Sequence, residues 1–121
     1  MSDQTLFLAI FLGSKDSARM KAWSELPDEA RRAKEKEGIA AWHAWVEKHK
    51  ASIVDIGGPL GKTRAIGEDG IVDRANALTG FTVVRCASHE EAAKMFEGHP
   101  HFAIFPGESV EVMPVLPIPG V

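Results

Sequence analysis

The segment Thr5-Leu6-Phe7-Leu8-Ala9-Ile10-Phe11-Leu12 is apolar with no alternation of polar residues. Successive side chains of a strand point to opposite faces, so a strand of this composition needs cover on both. In a small α+β unit helices cover one face of a sheet, and the other requires a second sheet or a partner subunit. The segment therefore predicts a strand and, through it, a homodimer.

After a polar connection from Ser14 to Lys21, Pro27-Asp28-Glu29 places proline and acids where a helix N-terminus favours them, with Ser24 or Leu26 near the cap. Asp28 to Gly38 mixes acids and bases and reads as a solvated face. Ile39, Trp42, Val46 and His49 then recur at helical spacing, with Trp45 beside them, as a stripe expected to pack on the sheet. Ile53 to Ile56 predicts a second strand that Gly57-Gly58-Pro59 bends or bulges before Leu60 to Ile66 continues. Glu68-Asp69-Gly70 is a turn signal, with Ile71 to Arg74 returning as a short strand. Phe81 to Cys86 is the strongest remaining strand. Ser88-His89-Glu90-Glu91 is a capping box that opens a short helix through Phe96, stopped by Gly98 and Pro100. Ser109 to Met113 is the last strand, and residues 117–121 form a proline-rich tail. The order β, α, β with hairpin, β, α, β predicts an α+β fold of the ferredoxin-like kind, βαββαβ, with both helices on one sheet face.

Composition narrows this reading. A chain of 121 residues, 45% hydrophobic and 26% charged, fits one folded domain over 1–121, with its core at about 5–116. A formal net charge of -3 argues against nucleic acid as a partner. The apolar run Leu6 to Leu12 is too short to span a bilayer and lacks a basic leader, so no membrane association and a cytoplasmic location are expected. The single cysteine, Cys86, cannot form an internal disulfide, which fits a reducing compartment. A small buried thiol is its expected role; the alternative is a nucleophile activated by Arg85 and His89.

Gly57-Gly58-Pro59-Leu60-Gly61-Lys62-Thr63 nearly spells a nucleotide-binding loop. Only three residues separate Gly57 from Gly61, and the stretch after Thr63 has no helical period. A phosphate would then meet no helix N-terminus, so the segment is expected to be a kinked strand entering a hairpin.

Several short motifs share an order and spacing: Trp42-His43-Ala44-Trp45, the kink from Asp55 to Gly61, Asn76-Ala77-Leu78-Thr79-Gly80-Phe81, and His99-Pro100-His101 ahead of Val110-Glu111-Val112. With these in place the chain resembles the YCII-related family, close to its DGPF branch, over about residues 5 to 116. The resemblance implies that the helix-free sheet faces of two subunits pair into a dimeric α+β barrel. Some relatives look like enzymes that eliminate halide from aromatic rings, using a His on the first helix and an Asp in an Asp-Pro pair after the second. The first-helix His corresponds to His43 or His49, while the Asp-Pro position reads His99-Pro100 and lacks the carboxylate. DGPF relatives accompany alternative sigma factors, which implies a regulatory setting instead.

The candidate chemistry follows from residue type. An imidazole lining an enclosed cavity can move a proton near neutral pH, making His43 and His49 the candidate acid-base groups. On a helical wheel at ~100° per residue, His49 lies ~20° from Trp42, on the buried stripe, and His43 ~100° away, at its edge. His99 and His101 are candidate ligand-binding residues; proline between them and the lack of other ligand-spaced residues argue against a metal. His99 is also read as part of the helix stop, where an imidazolium is favoured. Asp55 lies on a solvent edge or turns into a pocket, where Arg85 or Lys62 must offset its desolvation. Arg85 could hold an anionic or phenolic ligand, and Trp42 and Trp45 could form aromatic walls. The expectation is a homodimer, with no cofactor, that binds a small aromatic or carboxylated molecule between sheet and first helix, with His43 or His49 transferring protons. A non-catalytic regulatory module and a bare dimerisation scaffold are the alternatives.

Overall fold

Alternate residues of the first apolar segment are sealed while the others are not. Phe7 and Ala9 are buried, whereas Leu6, Leu8, Ile10 and Leu12 keep partial exposure. The computed structural model, which describes residues 4–120, forms this segment into strand β1, Thr5–Leu12. The ends of the predicted 1–121 domain, residues 1–3 and 121, lie outside the described residues.

Helices α1, Ala18–Glu25, and α2, Asp28–His49, follow β1, and then come β2, Ile53–Pro59, β3, Thr63–Gly67, and β4, Gly70–Arg74. The chain continues through β5, Leu78–Cys86, α3, His89–Lys94, α4, Pro100–Ala103, and β6, Ser109–Pro114. β2, β5, β1 and β6 form one antiparallel sheet in that order, and β3 pairs with β4 in a separate hairpin. With the hairpin set aside, the strand order is that of a ferredoxin-like α+β fold. Lys62 and Thr63 run into a strand, not a helix, so the phosphate-loop reading has no structural basis.

The core lies on one sheet face. Phe7, Ala9, Val84 and Cys86 meet Trp45 of α2 and Ala92 and Phe96 of the α3 region. Trp45 Nε1 donates to the Met95 carbonyl at 2.7 Å, which ties α2 to the segment after α3. Register puts Leu8 opposite Val83 and Met113, and Ile10 opposite Phe81, on the other face.

Four expectations need correction. The stretch read as a polar connection contains the start of α1, capped by Ser17, whose Oγ accepts from Met20 N–H at 3.0 Å. α1 has no buried residue, so no apolar stripe advertised it. Pro27, not Ser24 or Leu26, holds the N-cap position of α2, because Leu26 closes α1 by donating its N–H to the Trp23 carbonyl. The buried face of α2 carries Gly38 and Trp45, with Ile39 53% exposed. Phe105 fixes that rotation: a Cβ at position 38 would lie 2.4 Å from its ring, so the ring reaches α2 only where a side chain is lacking. Finally, Pro100 does not end a helix but starts α4, as its preset φ favours.

Gly57 makes the bulge in β2. Its φ is +69°, and a Cβ there would come within 1.9 Å of the Phe81 carbonyl oxygen. Gly57→Ala is expected to cost roughly 2 kcal/mol or more. Gly58→Ala, where a Cβ meets open space, should stay within about 0.5 kcal/mol, as urea unfolding of the two variants would measure.

Candidate functional site

A cavity of about 430 Å³ opens between the core face of the sheet, Trp42 of α2 and the segment from His99 to Phe105. Its floor is Phe11 of β1 with the Thr79 to Thr82 stretch of β5, and Ile56 to Pro59 of the bulged β2 form one rim. Phe11, Trp42 and Phe105 supply aromatic surface. No Asp, Glu, Lys or Arg stands among the described residues that line it. A second cavity, about 380 Å³, lies between the α3 region and β6 and holds Glu97 and Glu108 but no histidine. The first has the chemistry to orient a ligand.

Its polar side chains are few. Thr82 Oγ1 donates to the Ile56 carbonyl and Thr79 Oγ1 to the Phe11 carbonyl, both at 2.9 Å. Both hydroxyl protons are thereby committed, while their oxygens can still accept, and the imidazoles of His99 and His101 and the indole of Trp42 complete the polar groups.

His99 is 2% exposed. Its ring stacks on Phe11 with centroids 5.2 Å apart and meets Trp45 edge to face at 4.8 Å. It is the N-cap of α4, and its Nδ1 accepts the backbone N–H of His101 at 3.0 Å. Burial, then the neighbouring His101 and His49, bring its pKa down to about 4. The imidazolium expected at a helix stop is therefore replaced by a neutral ring, because desolvation penalises the charge. With Nδ1 acting as acceptor, the proton resides on Nε2, which has no hydrogen-bond partner among the described residues.

His101 is held differently. Its Nε2 lies 2.8 Å from the Leu12 carbonyl, which can only accept, so Nε2 carries a proton and donates it. The same carbonyl also accepts the Glu108 N–H at 2.9 Å.

The structure brings Trp42, His99 and His101 to one cavity and leaves the other candidates outside it. His43 is exposed beside Trp42, their rings 5.1 Å apart. His49 is half-buried against Trp45, its pKa lowered by burial and by Lys48. Asp55 is exposed, and its Oδ1 accepts the Gly57 N–H at 2.9 Å, which serves the kink. Arg85 is exposed on β5 opposite Leu6, on the face away from the helices, and no ion pair joins it to Asp55 among the described residues. Cys86 is buried, its pKa raised by burial and then by Glu91, opposite to what a nucleophile needs. Phe11 and Phe105 line the cavity without being candidates by residue type. Phe11 shares the strand parity of Phe7 and Ala9, a signal that was available, whereas Phe105 lies in a loop with no periodic pattern.

The fold and site thus define a ferredoxin-like α+β protein with an aromatic cavity bordered by two imidazoles. Among solved structures it is similar to 5-chloro-2-hydroxyhydroquinone dehydrochlorinase (TftG) from Burkholderia phenoliruptrix AC1100, in complex with 2,5-dihydroxybenzoquinone. Identity is 20%, covering 89% of this chain and 90% of that chain, with a TM-score of 0.49. A match that loose leaves the fold assignment to rest on strand order and register. No family model and no curated protein matches the chain. No described helix is long and apolar enough to cross a membrane, and no group of three or more His, Cys, Asp or Glu that could hold a metal occurs among the described residues.

The buried neutral His99 makes stability depend on pH. The unfolded chain takes up a proton there near pH 6.5 and the folded chain only near 4. Between those values the unfolded state binds more protons, so stability falls as pH falls. Urea unfolding should show a loss of about 2 to 3 kcal/mol from this residue between about pH 7 and pH 4.5. His99→Asn retains a capping acceptor without a titrating ring and should lose that much less on acidification.

Proposed function

We propose that this chain is a YCII-related protein, close to the DGPF branch, that binds a small aromatic molecule in the cavity between α2 and the sheet and acts as a cytoplasmic homodimer. The cavity carries the reading: aromatic walls from Phe11, Trp42 and Phe105, with two imidazoles and two threonine hydroxyls among its few polar groups. The absence of a cationic side chain from its described lining favours an aromatic over a carboxylated ligand. Of the four histidines first considered, His99 and His101 line this cavity, so the proton-transfer role passes from His43 or His49 to His101.

The homodimer draws support from β1. Leu6, Leu8, Ile10 and Leu12, with Val83 and Phe81 opposite and Met113 40% exposed beside them, form an apolar surface on the face away from the core. A second copy presenting the same face would cover it and pair the two sheets into a barrel. A second reading, a regulatory module that acts on another protein, is favoured by the β3–β4 hairpin, where Ile66 is 77% and Ile71 61% exposed.

Light scattering should give twice the chain mass, and Leu8→Glu should shift the protein toward monomer while its far-UV circular dichroism persists. A wild-type monomer that stays folded at micromolar concentration would sink the dimer. For the cavity, a library of small aromatic compounds should contain members that quench tryptophan fluorescence and raise Tm. Trp42→Ala should weaken their binding by about tenfold; no binder in the library would remove the cavity reading.

A further inference from the structure

β6 is an end strand of the sheet and, among the described residues, pairs with β1 alone. Val115 N–H donates to the Leu6 carbonyl at 2.9 Å, one step beyond the pairing of Phe7 with Pro114. Bonding alternates along an antiparallel pair, so Met113 and Glu111 bond inward while Val110, Val112 and Pro114 turn their backbone groups outward. That outer edge is partly closed. His89 Nε2 donates to the Val112 carbonyl at 2.7 Å, and Pro114 has no N–H to offer. Left open among the described residues are the N–H and C=O of Val110 and the N–H of Val112, a short template for a further strand.

The cavity of about 380 Å³ lies against this opening. Val110 and Val112 stand opposite Phe11 and Ala9, so their side chains share the helix-facing side of the sheet and line the cavity with Phe96 and Phe102. Its only charged lining residues are Glu97 and Glu108. Neither forms an ion pair among the described residues, and no Lys, Arg or His lines the cavity. An apolar trough, unmatched negative charge and open backbone groups therefore meet on one edge.

We propose that the β6 edge is a docking strand for a short extended segment of another protein, in which a lysine or arginine stands two residues from an apolar side chain. The segment's backbone pairs with Val110, its apolar side chain packs on Phe96 and Phe102, and its cation meets Glu97 and Glu108. The spacing follows from the pleat: alternate residues of a strand project to one face, so groups opposite Val110 and Glu108 belong two positions apart. A second copy of this chain is the poorer occupant, since its own Glu97 and Glu108 would bring like charge to the same trough. The His89 bond and Pro114 limit the pairing to a short segment and guard the edge against a longer strand.

The experiment uses the intact protein and fluorescein-labelled Ser-Lys-Thr-Val-Thr-Lys-Ser, whose flanking lysines read the same in either strand direction. Fluorescence anisotropy at low ionic strength should show it binding about tenfold or more tighter than the peptide with glutamate in place of both lysines. The lysine peptide N-methylated at valine and both threonines keeps its charge but cannot donate to the edge, and should also bind about tenfold or more weaker. Glu97→Lys with Glu108→Lys should reverse the preference toward the glutamate peptide. Val110→Pro removes an N–H that β1 does not use and should weaken the lysine peptide by a similar factor, with circular dichroism unchanged.

Equal binding of the N-methylated peptide overturns the proposal, because charge alone would then account for the attraction. So does a preference for lysine that survives the double charge reversal, or no saturable binding of the lysine peptide up to about 1 mM. If light scattering shows wild-type protein associating and folded Val110→Pro not, the edge belongs to a second copy and the proposal fails. Should Val110→Pro not fold, the N-methylated peptide tests the same backbone pairing on the wild-type chain.

Discussion

The position of β1 between β5 and β6 is the constraint on which the rest of the structure depends. A central strand donates and accepts on both edges, so its register with β5 and β6 fixes which residues face the helices. One parity, Phe7, Ala9 and Phe11, meets the helices; the other, Leu6, Leu8, Ile10 and Leu12, meets the opposite side. A slip of one residue would exchange these sets, removing Phe11 from the imidazoles and placing Ile10 or Leu12 beneath them. The Leu12 carbonyl shows the dependence directly. By accepting from Glu108 N–H and His101 Nε2, it joins the start of β6 and the cavity's second imidazole to the end of one strand.

Two close approaches then shape the space above the strand. Phe105 closes on α2 at Gly38, and Phe11 lies over Gly80 of the neighbouring strand, where an added Cβ would sit 3.0 Å from its ring. Large rings matched to missing side chains bring the layers together at these points. Between them the Gly57 bulge carries β2 away from regular pairing, and the rim from Ile56 to Pro59 borders the cavity. Bulges bend the strand that carries them and interrupt the ladder beside functional sites, which is the use made of this one.

Local signals in the chain were legible where the physics is local. The capping box formed, with Ser88 Oγ accepting from Glu91 N–H and the Glu91 carboxylate reaching back to the Ala87 N–H, both at 3.1 Å. The turn at Glu68-Asp69-Gly70, the kink at Gly57 and the strand order could likewise be read from residue type and period. What could not be read depended on distant partners. Ile39 continues a helical apolar period as well as any residue on α2, yet it points outward because Phe105, 66 positions further on, selects Gly38 instead. His99 follows a helix-stopping glycine, and its local context suggests a charged ring at a helix end. Phe11, Trp45 and Phe96, from three separate stretches, enclose it and reverse that expectation. Trp42, His99 and His101 could be singled out by type, but the exclusion of Asp55 and Arg85 from their cavity is a consequence of strand parity and of the kink, which composition does not encode.

His99 also ties the stability of the fold to pH. A buried N–H without an acceptor among the described residues lowers stability, and a neutral buried imidazole adds a cost on acidification. Phe11, Trp45 and Phe96 hold the ring in place through apolar contact, so His99 cannot relieve either cost by swinging into water without opening the core. An apolar residue at this position would avoid both penalties but lose the cap on α4 and the hydrogen bond from His101. The histidine is therefore an expensive choice for packing alone, and what it supplies in return is the cap on α4, where its Nδ1 accepts the His101 N–H.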